Sequence, residues 1–214
     1  YNGNLDLIKS VAEELNIDKR GFEIALSNDL PRHSGLGVSA AAYAAVIALF
    51  DKFYNLEMTK RDIAELSFRL ETERLKNHVG KQDQYAVVFG GLNFMEFGRS
   101  MNVKISPLKV NKKIAKYLEK GLALFYISER KKTAGSAISN QVKSGSLQGF
   151  RKTKELGLKA KEALEGDDLE KFGHVMSMVW KYKKMFGGVT TEFIDVIYET
   201  AVKEKDYPAQ VMLQ

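Results

Sequence analysis

Residues 30–46 read LPRHSGLGVSAAAYAAV. Gly35 and Gly37 stand between Ser34 and Ser39, and alanine then follows almost without interruption. Upstream, GFEIALS alternates apolar and polar residues and predicts a strand over Phe22–Ser27. Downstream, the spacing predicts a helix from Ala40 to Tyr54, apolar on nearly every face through Phe50 and so expected to be buried on all sides. A strand, a glycine turn and a helix N-terminus together form an anion-binding arrangement. The N–H groups of the first helical turn point outward, and the helix dipole is positive there. Gly35 and Gly37 let the backbone approach an oxygen-rich ligand with no Cβ in the way. The Ser39 hydroxyl suits a Mg²⁺ ion that bridges phosphates. The competing reading is a plain strand–helix turn built of small packing residues. Neither G-x-x-x-x-G-K-[ST] nor a three-glycine dinucleotide fingerprint is present.

The rest of the chain alternates helices and strands without regular order. LDLIKSVAEEL puts Leu5, Ile8, Val11, Ala12 and Leu15 on one helical stripe. Thr59 and Asp62 form a capping-box pattern, and Met58 and Ile63 a hydrophobic staple across it, predicting a helix to about Leu75. A short helix is expected over Gln82–Phe89, then a Gly90–Gly91 break, a strand in LNFMEF and a partner strand in NVKIS. After Pro107, GLALFYIS reads as a buried strand, residues 133–165 as helices broken by KSGSLQG, and Asp167 or Asp168 as the cap of a helix through Met178. TTEFIDVIYETAVKE closes the pattern as an amphipathic helix. Strands and helices mixed in this way favour an α+β fold over a parallel doubly wound sheet.

The 214 residues suffice for one large domain or two small lobes. No apolar run approaches the roughly 20 residues of a membrane span, and no signal peptide opens the sequence. Cysteine is absent, which excludes disulfides and thiolate metal sites and fits a reducing cytoplasm. The net charge of +6 is concentrated between Lys104 and Lys161. A solvated basic face accounts for it; a phosphorylated small molecule or nucleic acid are the other partners such charge attracts.

PRHSGLGVSAA resembles the second motif of the GHMP kinases, P-x-x-x-G-L-G-S-S-A, and GKQDQYAVVFGGLNFMEF (80–97) resembles the sugar-kinase branch, nearest the heptose phosphate kinases and then the fucokinases. WKYKK at 180–184 is similar to a W-x-x-K-K element of that branch. The likeness implies a two-lobed fold. Residues 1–106 would form a lobe like ribosomal protein S5 domain 2, and residues 107–214 a ferredoxin-like lobe truncated at its end. It implies a kinase that uses ATP and Mg²⁺ on the anomeric hydroxyl of a sugar or sugar phosphate, heptose 7-phosphate above all. Ser34, Gly35, Leu36, Gly37, Val38 and Ser39 would wrap the ATP phosphates, and Ser39 and Glu71 would hold the metal. Asp83 would be the catalytic base, with Lys81 beside it to lower its pKa or touch a phosphate. His33, Lys183 and Lys184 are candidate substrate contacts.

Departures from the pattern are Val38 where a serine is usual, and Arg32 and His33 where small residues are common. The family's first motif and its glycine-rich third motif are not found, so the sequence reads as a fragment whose own activity is open. Residue by residue, plainer roles compete: Glu71 as a surface acid, Asp83 as a helix cap, His33 as a solvent-facing loop residue, Lys183 and Lys184 as a basic helix end. Two other functions stay in view, a catalytically silent nucleotide or sugar binder and an S5-like nucleic-acid module. The latter lacks exposed aromatics interleaved with basic residues, since Phe89, Phe94 and Phe97 read as core. No membrane partner is expected, and a homodimer is compatible with the sequence.

Overall fold

The computed structural model describes residues 5–17, 22–30, 34–74, 79–98, 100–122, 124, 147–185 and 190–203. The described residues fall into two compact units, one up to Ile105 and the other from Ser106 onward.

The first unit is built on three helices: α1 (Asp6–Glu14), α2 (Val38–Tyr54) and α3 (Lys60–Glu73). Val11 and Ala12 from α1, Tyr43, Val46, Ile47 and Phe50 from α2, and Leu66 and Leu70 from α3 form its core. These are the helical-period residues of each segment, so burial of one stripe per helix is what holds the three together. Leu5 leaves the predicted stripe: it precedes α1 with a left-handed backbone and is largely exposed. The capping box forms as its spacing requires. Thr59 Oγ1 accepts from the Asp62 N–H, Asp62 Oδ2 accepts from the Thr59 N–H at 2.9 Å, and α3 starts at Lys60. Met58 and Ile63 both pack against the core, as the staple predicts.

Helix α2 starts two residues earlier than its alanine run suggests, because Gly37 serves as its N-cap. It is not buried on all sides: Leu49 is 47% and Phe53 72% exposed. Its buried residues are Ala40, Tyr43, Ala44, Val46, Ile47 and Phe50, so among the described residues an apolar composition on nearly every face did not translate into burial on every face. The expected strand Phe22–Ser27 is also absent. Phe22 and Ile24 do turn inward against the core while Glu23 and Ala25 face out, but no ladder partner meets this segment among the described residues. Alternation alone, without a neighbour to satisfy the backbone, leaves an extended chain rather than a strand.

Helix α4 (Gln82–Phe89) and the strands β1 (Asn93–Phe97) and β2 (Val103–Pro107) follow the predicted order. The two strands pair, and Gly98 N–H donates to Asn102 C=O at 2.9 Å in the short connection between them. A second core packs Ala64 of α3 and Tyr85 of α4 on Val103, with Val88, Phe89, Met95 and Ile105 around them. Phe89 and Phe94 are partly buried, but Phe97 is mostly exposed and does not belong to the core.

In the second unit, α5 (Lys112–Gly121) begins at Asn111, whose Oδ1 accepts from Ile114 N–H at 2.9 Å. Lys112, Lys113, Lys116 and Lys120 of this helix are exposed, so part of the basic excess is a solvated face. The buried strand expected in GLALFYIS does not begin there: Gly121 closes α5, and Leu122 and Leu124 are exposed. The remainder of that stretch lies outside the described residues. Helix α6 (Leu147–Glu165) packs on α7 (Leu169–Lys184), and α8 (Glu192–Lys203) sets Tyr198 6.0 Å from Trp180 of α7. Of the two candidate caps it is Asp168 that acts, accepting from Lys171 N–H at 2.9 Å, and α7 runs past Met178 to Lys184. No helix among the described residues is long and apolar enough to cross a membrane.

Candidate active site

The glycine turn adopts the backbone that its glycines permit. Gly35 and Gly37 have φ of 80° and 69°, in the left-handed region that other residues rarely enter. The first intrahelical bond runs from Ala41 N–H to Gly37 C=O at 2.9 Å, and no side chain caps the helix. The N–H groups of Val38, Ser39 and Ala40 therefore carry no internal cap, and the exposed Ser39 hydroxyl stands on the same turn. Ser34, Leu36 and Val38 are half-buried, and Ser34 Oγ is enclosed without a hydrogen-bond partner.

Gly37 also lies against Asp83. A Cβ placed on Gly37 would sit 3.5 Å from Asp83 Cβ and 3.8 Å from its Oδ2. The glycine turn and the candidate base, 46 positions apart in the numbering of the chain, thus lie close enough that one added carbon on Gly37 would touch Asp83. Asp83 itself is exposed in the first turn of α4. The next residue, Gln84, is 1% exposed and donates from Nε2 to Glu71 Oε2 at 2.8 Å. Glu71, 4% exposed near the end of α3, is accordingly no surface acid.

Buried carboxylates are ordinarily paired or bound to metal, and among the described residues no basic side chain pairs with Glu71. No group of three or more His, Asp or Glu among the described residues could cage a metal. Mg²⁺ does not ask for one: it is commonly held by one or two carboxylates, phosphate oxygens and water. The buried, amide-oriented Glu71 carboxyl and the exposed Ser39 hydroxyl fit that donor set. They are carried by helices α3 and α2, which pack on each other and on α4.

Lys81 is engaged elsewhere on its surface. Its Nζ donates to Glu65 Oε2 at 2.6 Å and Oε1 at 2.9 Å, and lies 5.1 Å over the Phe68 ring. Tyr85 OH donates to the same Glu65 Oε1 at 2.5 Å. Burial pushes the Glu65 carboxyl up, but the hydrogen bonds from Lys81 and Tyr85 and the charges of Lys81 and Arg61 hold it below its usual value. Burial and the Glu65 carboxylate push the Tyr85 hydroxyl up to about 12, so it stays a donor at neutral pH.

His33 lies outside the described residues. Lys183 and Lys184 belong to the second unit, at the end of α7. Lys184 Nζ is 3.4 Å from Asp195 Oδ1 and 5.6 Å over the Tyr198 ring. Sequence reasoning missed Gln84, Glu65 and Tyr85 as parts of the site. Gln84 and Tyr85 sit within the quoted KQDQY string, but only the fold shows that they reach Glu71 and Glu65.

Residues 5–91 match the GHMP kinases N terminal domain family. The D-glycero-alpha-D-manno-heptose 7-phosphate kinase of Campylobacter jejuni is 31% identical over 96% of this chain and 63% of its own length. The crystal structure of a D-glycero-D-manno-heptose 1-phosphate kinase from Bacteroides thetaiotaomicron superposes with a TM-score of 0.69 at 27% identity. That match covers 86% of this chain and 56% of the other. The L. major mevalonate kinase superposes with a TM-score of 0.60 at 16% identity, covering 92% and 60%, a likeness of fold alone. The chain thus spans 63% or less of each of these proteins. Residues 5–91 thus match the GHMP kinase N-terminal domain in sequence, and the chain resembles a heptose phosphate kinase structure in fold.

Proposed function

We propose that the protein is an ATP-dependent phosphotransferase acting on the anomeric hydroxyl of a sugar phosphate of the heptose 7-phosphate class. The observation that carries this reading is the closeness of Asp83 to Gly37, where an added Cβ would lie 3.5 Å from the Asp83 side chain. It puts an uncapped helix N-terminus, suited to phosphate oxygens, beside a carboxylate that can take a proton. In the corresponding architecture the first unit is the S5-like lobe with the nucleotide and catalytic motifs, and the second is the ferredoxin-like lobe. A cysteine-free chain suits work in a reducing cytoplasm.

The residues divide the task. The N–H groups opening α2 and the backbone of Ser34–Ser39 bind the phosphates of ATP. Ser39 and Glu71 would hold Mg²⁺, which when bound neutralises phosphate charge. Asp83 accepts the proton of the sugar hydroxyl as its oxygen bonds to the terminal phosphorus and the bond to the departing ADP oxygen breaks. Lys183 and Lys184 would meet the phosphate that the sugar already bears, as point charges.

The test is Asp83→Asn in the full-length protein, assayed with ATP on a panel of sugars and sugar phosphates. The amide keeps the shape but cannot take the proton, so kcat falls by about 10²–10⁴-fold while ATP affinity holds. Turnover at the parent's rate removes Asp83 as the base. A parent that binds ATP yet phosphorylates nothing in the panel is a silent binder instead.

A further inference from the structure

Helix α4 has a problem that its own sequence does not solve. At eight residues it is too short to hold itself, and no side chain caps its N-terminus. Yet Asp83, in its first turn, must keep a fixed place against Gly37. Lys81, the N-cap position, and Tyr85 stand four residues apart and so share a face of the helix. Asp83 lies between them in the chain and is exposed. Both flanking side chains are drawn inward: Lys81 is 10% exposed, and Tyr85 is fully buried. Both end on one group, the Glu65 carboxylate of α3, through three hydrogen bonds of 2.5–2.9 Å.

We propose that Glu65 is the positioning residue for Asp83, and that Lys81 acts through Glu65 as an anchor of α4 rather than on substrate or phosphate. Two anchors one turn apart, converging on one carboxylate, fix the rotation and the height of α4 against α3. A lone anchor would fix only one point. The neighbours favour the arrangement. Arg61 adds positive charge near Glu65, donates to Val103 C=O at 3.0 Å and lies 5.9 Å over the Tyr85 ring. Phe89 stacks on Tyr85 with ring centroids 5.6 Å apart and the rings 1° from parallel. The lysine donates two of its three N–H bonds to Glu65 and covers Phe68 with the ammonium. Its charge is thus committed within the α3–α4 contact. The inference rests on Asp83 being the base. Misplacement of a catalytic group by about 1 Å can cost 10²-fold.

The experiment compares Glu65→Leu, Lys81→Met, their double variant and Asp83→Asn in the full-length protein, reading kcat, ATP affinity and the thermal unfolding midpoint. Each of the first two should lower kcat by about 10–100-fold with ATP affinity unchanged. The double variant should fall no further than the worse single, because the two residues form one device. A charge-exchanged pair, Glu65→Lys with Lys81→Glu, should recover at least part of the rate lost in Glu65→Lys alone when both are assayed well below their unfolding midpoints, where folding stability does not enter. Where Glu65→Leu does not fold, Glu65→Gln keeps the shape and reads the same comparison. The proposal is overturned if Lys81→Met loses activity while the Glu65 variant keeps it, for then Lys81 acts directly. Multiplying losses in the double variant overturn it as well, as do unchanged rates in both singles. Asp83→Asn separates the two levels: if it is slow while the Glu65 and Lys81 variants are fast, only the anchor fails. If it is as fast as the parent, the base assignment fails and the anchor with it.

Discussion

Replacing Gly37 tests at once the backbone of the glycine turn, its distance from Asp83 and its role. Gly37 has φ of 69°, and the left-handed region costs an L-residue roughly 1–2 kcal/mol. An alanine Cβ would lie 3.5 Å from Asp83 Cβ and 3.6 Å from Cγ, ordinary contact distances, so Gly37→Ala should cost that strain and little more. Valine adds two methyl carbons a further bond length, about 1.5 Å, beyond Cβ. A methyl aimed at Asp83 presses on its side chain, and overpacking of this kind costs about 1–3 kcal/mol on top of the strain. With a urea dependence of about 2 kcal/mol per molar, the middle of the usual range, Gly37→Ala should lower the urea midpoint by roughly half to one molar, and Gly37→Val by more. ATP titration should show modest weakening for alanine and loss of binding for valine, with the folded state still populated. A valine variant as stable as the parent would refute both the strain and the proximity. A stable, folded valine variant with the parent's ATP affinity would refute the phosphate role alone.

Glu71→Gln should raise the Mg²⁺ concentration needed for half-maximal turnover, and a metal titration superimposable on the parent's would argue against Glu71 as a ligand. Neutralising Lys183 and Lys184 together should weaken a phosphosugar more than the matching free sugar; equal effects on the two would leave these lysines as a basic helix end. Acid should destabilise the first unit through two carboxylates. Hydrogen bonds from Arg69, opposed by burial and aided by Arg74, hold Glu14 below its ordinary 4.5, and Glu65 is likewise depressed. A depressed carboxyl contributes stability that is complete above its ordinary value and disappears as pH falls through the lowered one. Urea midpoints should therefore decline as pH is taken from 4.5 downward, and less steeply in Glu14→Gln; parallel slopes would show that the Glu14 clasp contributes nothing.

What could be read from the sequence was whatever is local. The Thr59–Asp62 box, the Gln82–Phe89 helix and the β1–β2 pair depend on neighbours a few residues away, and their spacing states them. The glycine turn was legible for the same reason, since positive φ is a property of Gly35 and Gly37 themselves. Phe22–Ser27 was not, because a strand is a relation between two segments and the alternation of one cannot supply the other. The exposed Leu49 and Phe53 show the same gap: composition states that a surface is apolar, not that anything covers it. Glu65 was invisible as part of the site because a glutamate in a helix of mixed charge carries no sign of its distant partners. Lys81 carried a sign, its place beside Asp83, and the fold shows that its nearest acid is another one.

Helix α3 carries a further consequence, for how this sequence can change over time. Thr59 fixes where the helix starts, and Arg61, Glu65, Phe68 and Glu71 follow at helical steps from that origin. Inserting or deleting a single residue between Thr59 and Glu71 turns everything beyond it by about 100° about the axis. Placed before Glu65, such a change would part Glu65 from Lys81 and Tyr85 and Glu71 from Gln84 in one event; placed after it, Glu71 alone would lose its partner. The segment works as a graduated rod: its outward side chains can be exchanged one at a time, while its length is closed to variation. Descendants of this sequence should differ in length between α1 and α2 or after β1, and agree to the residue between Thr59 and Glu71.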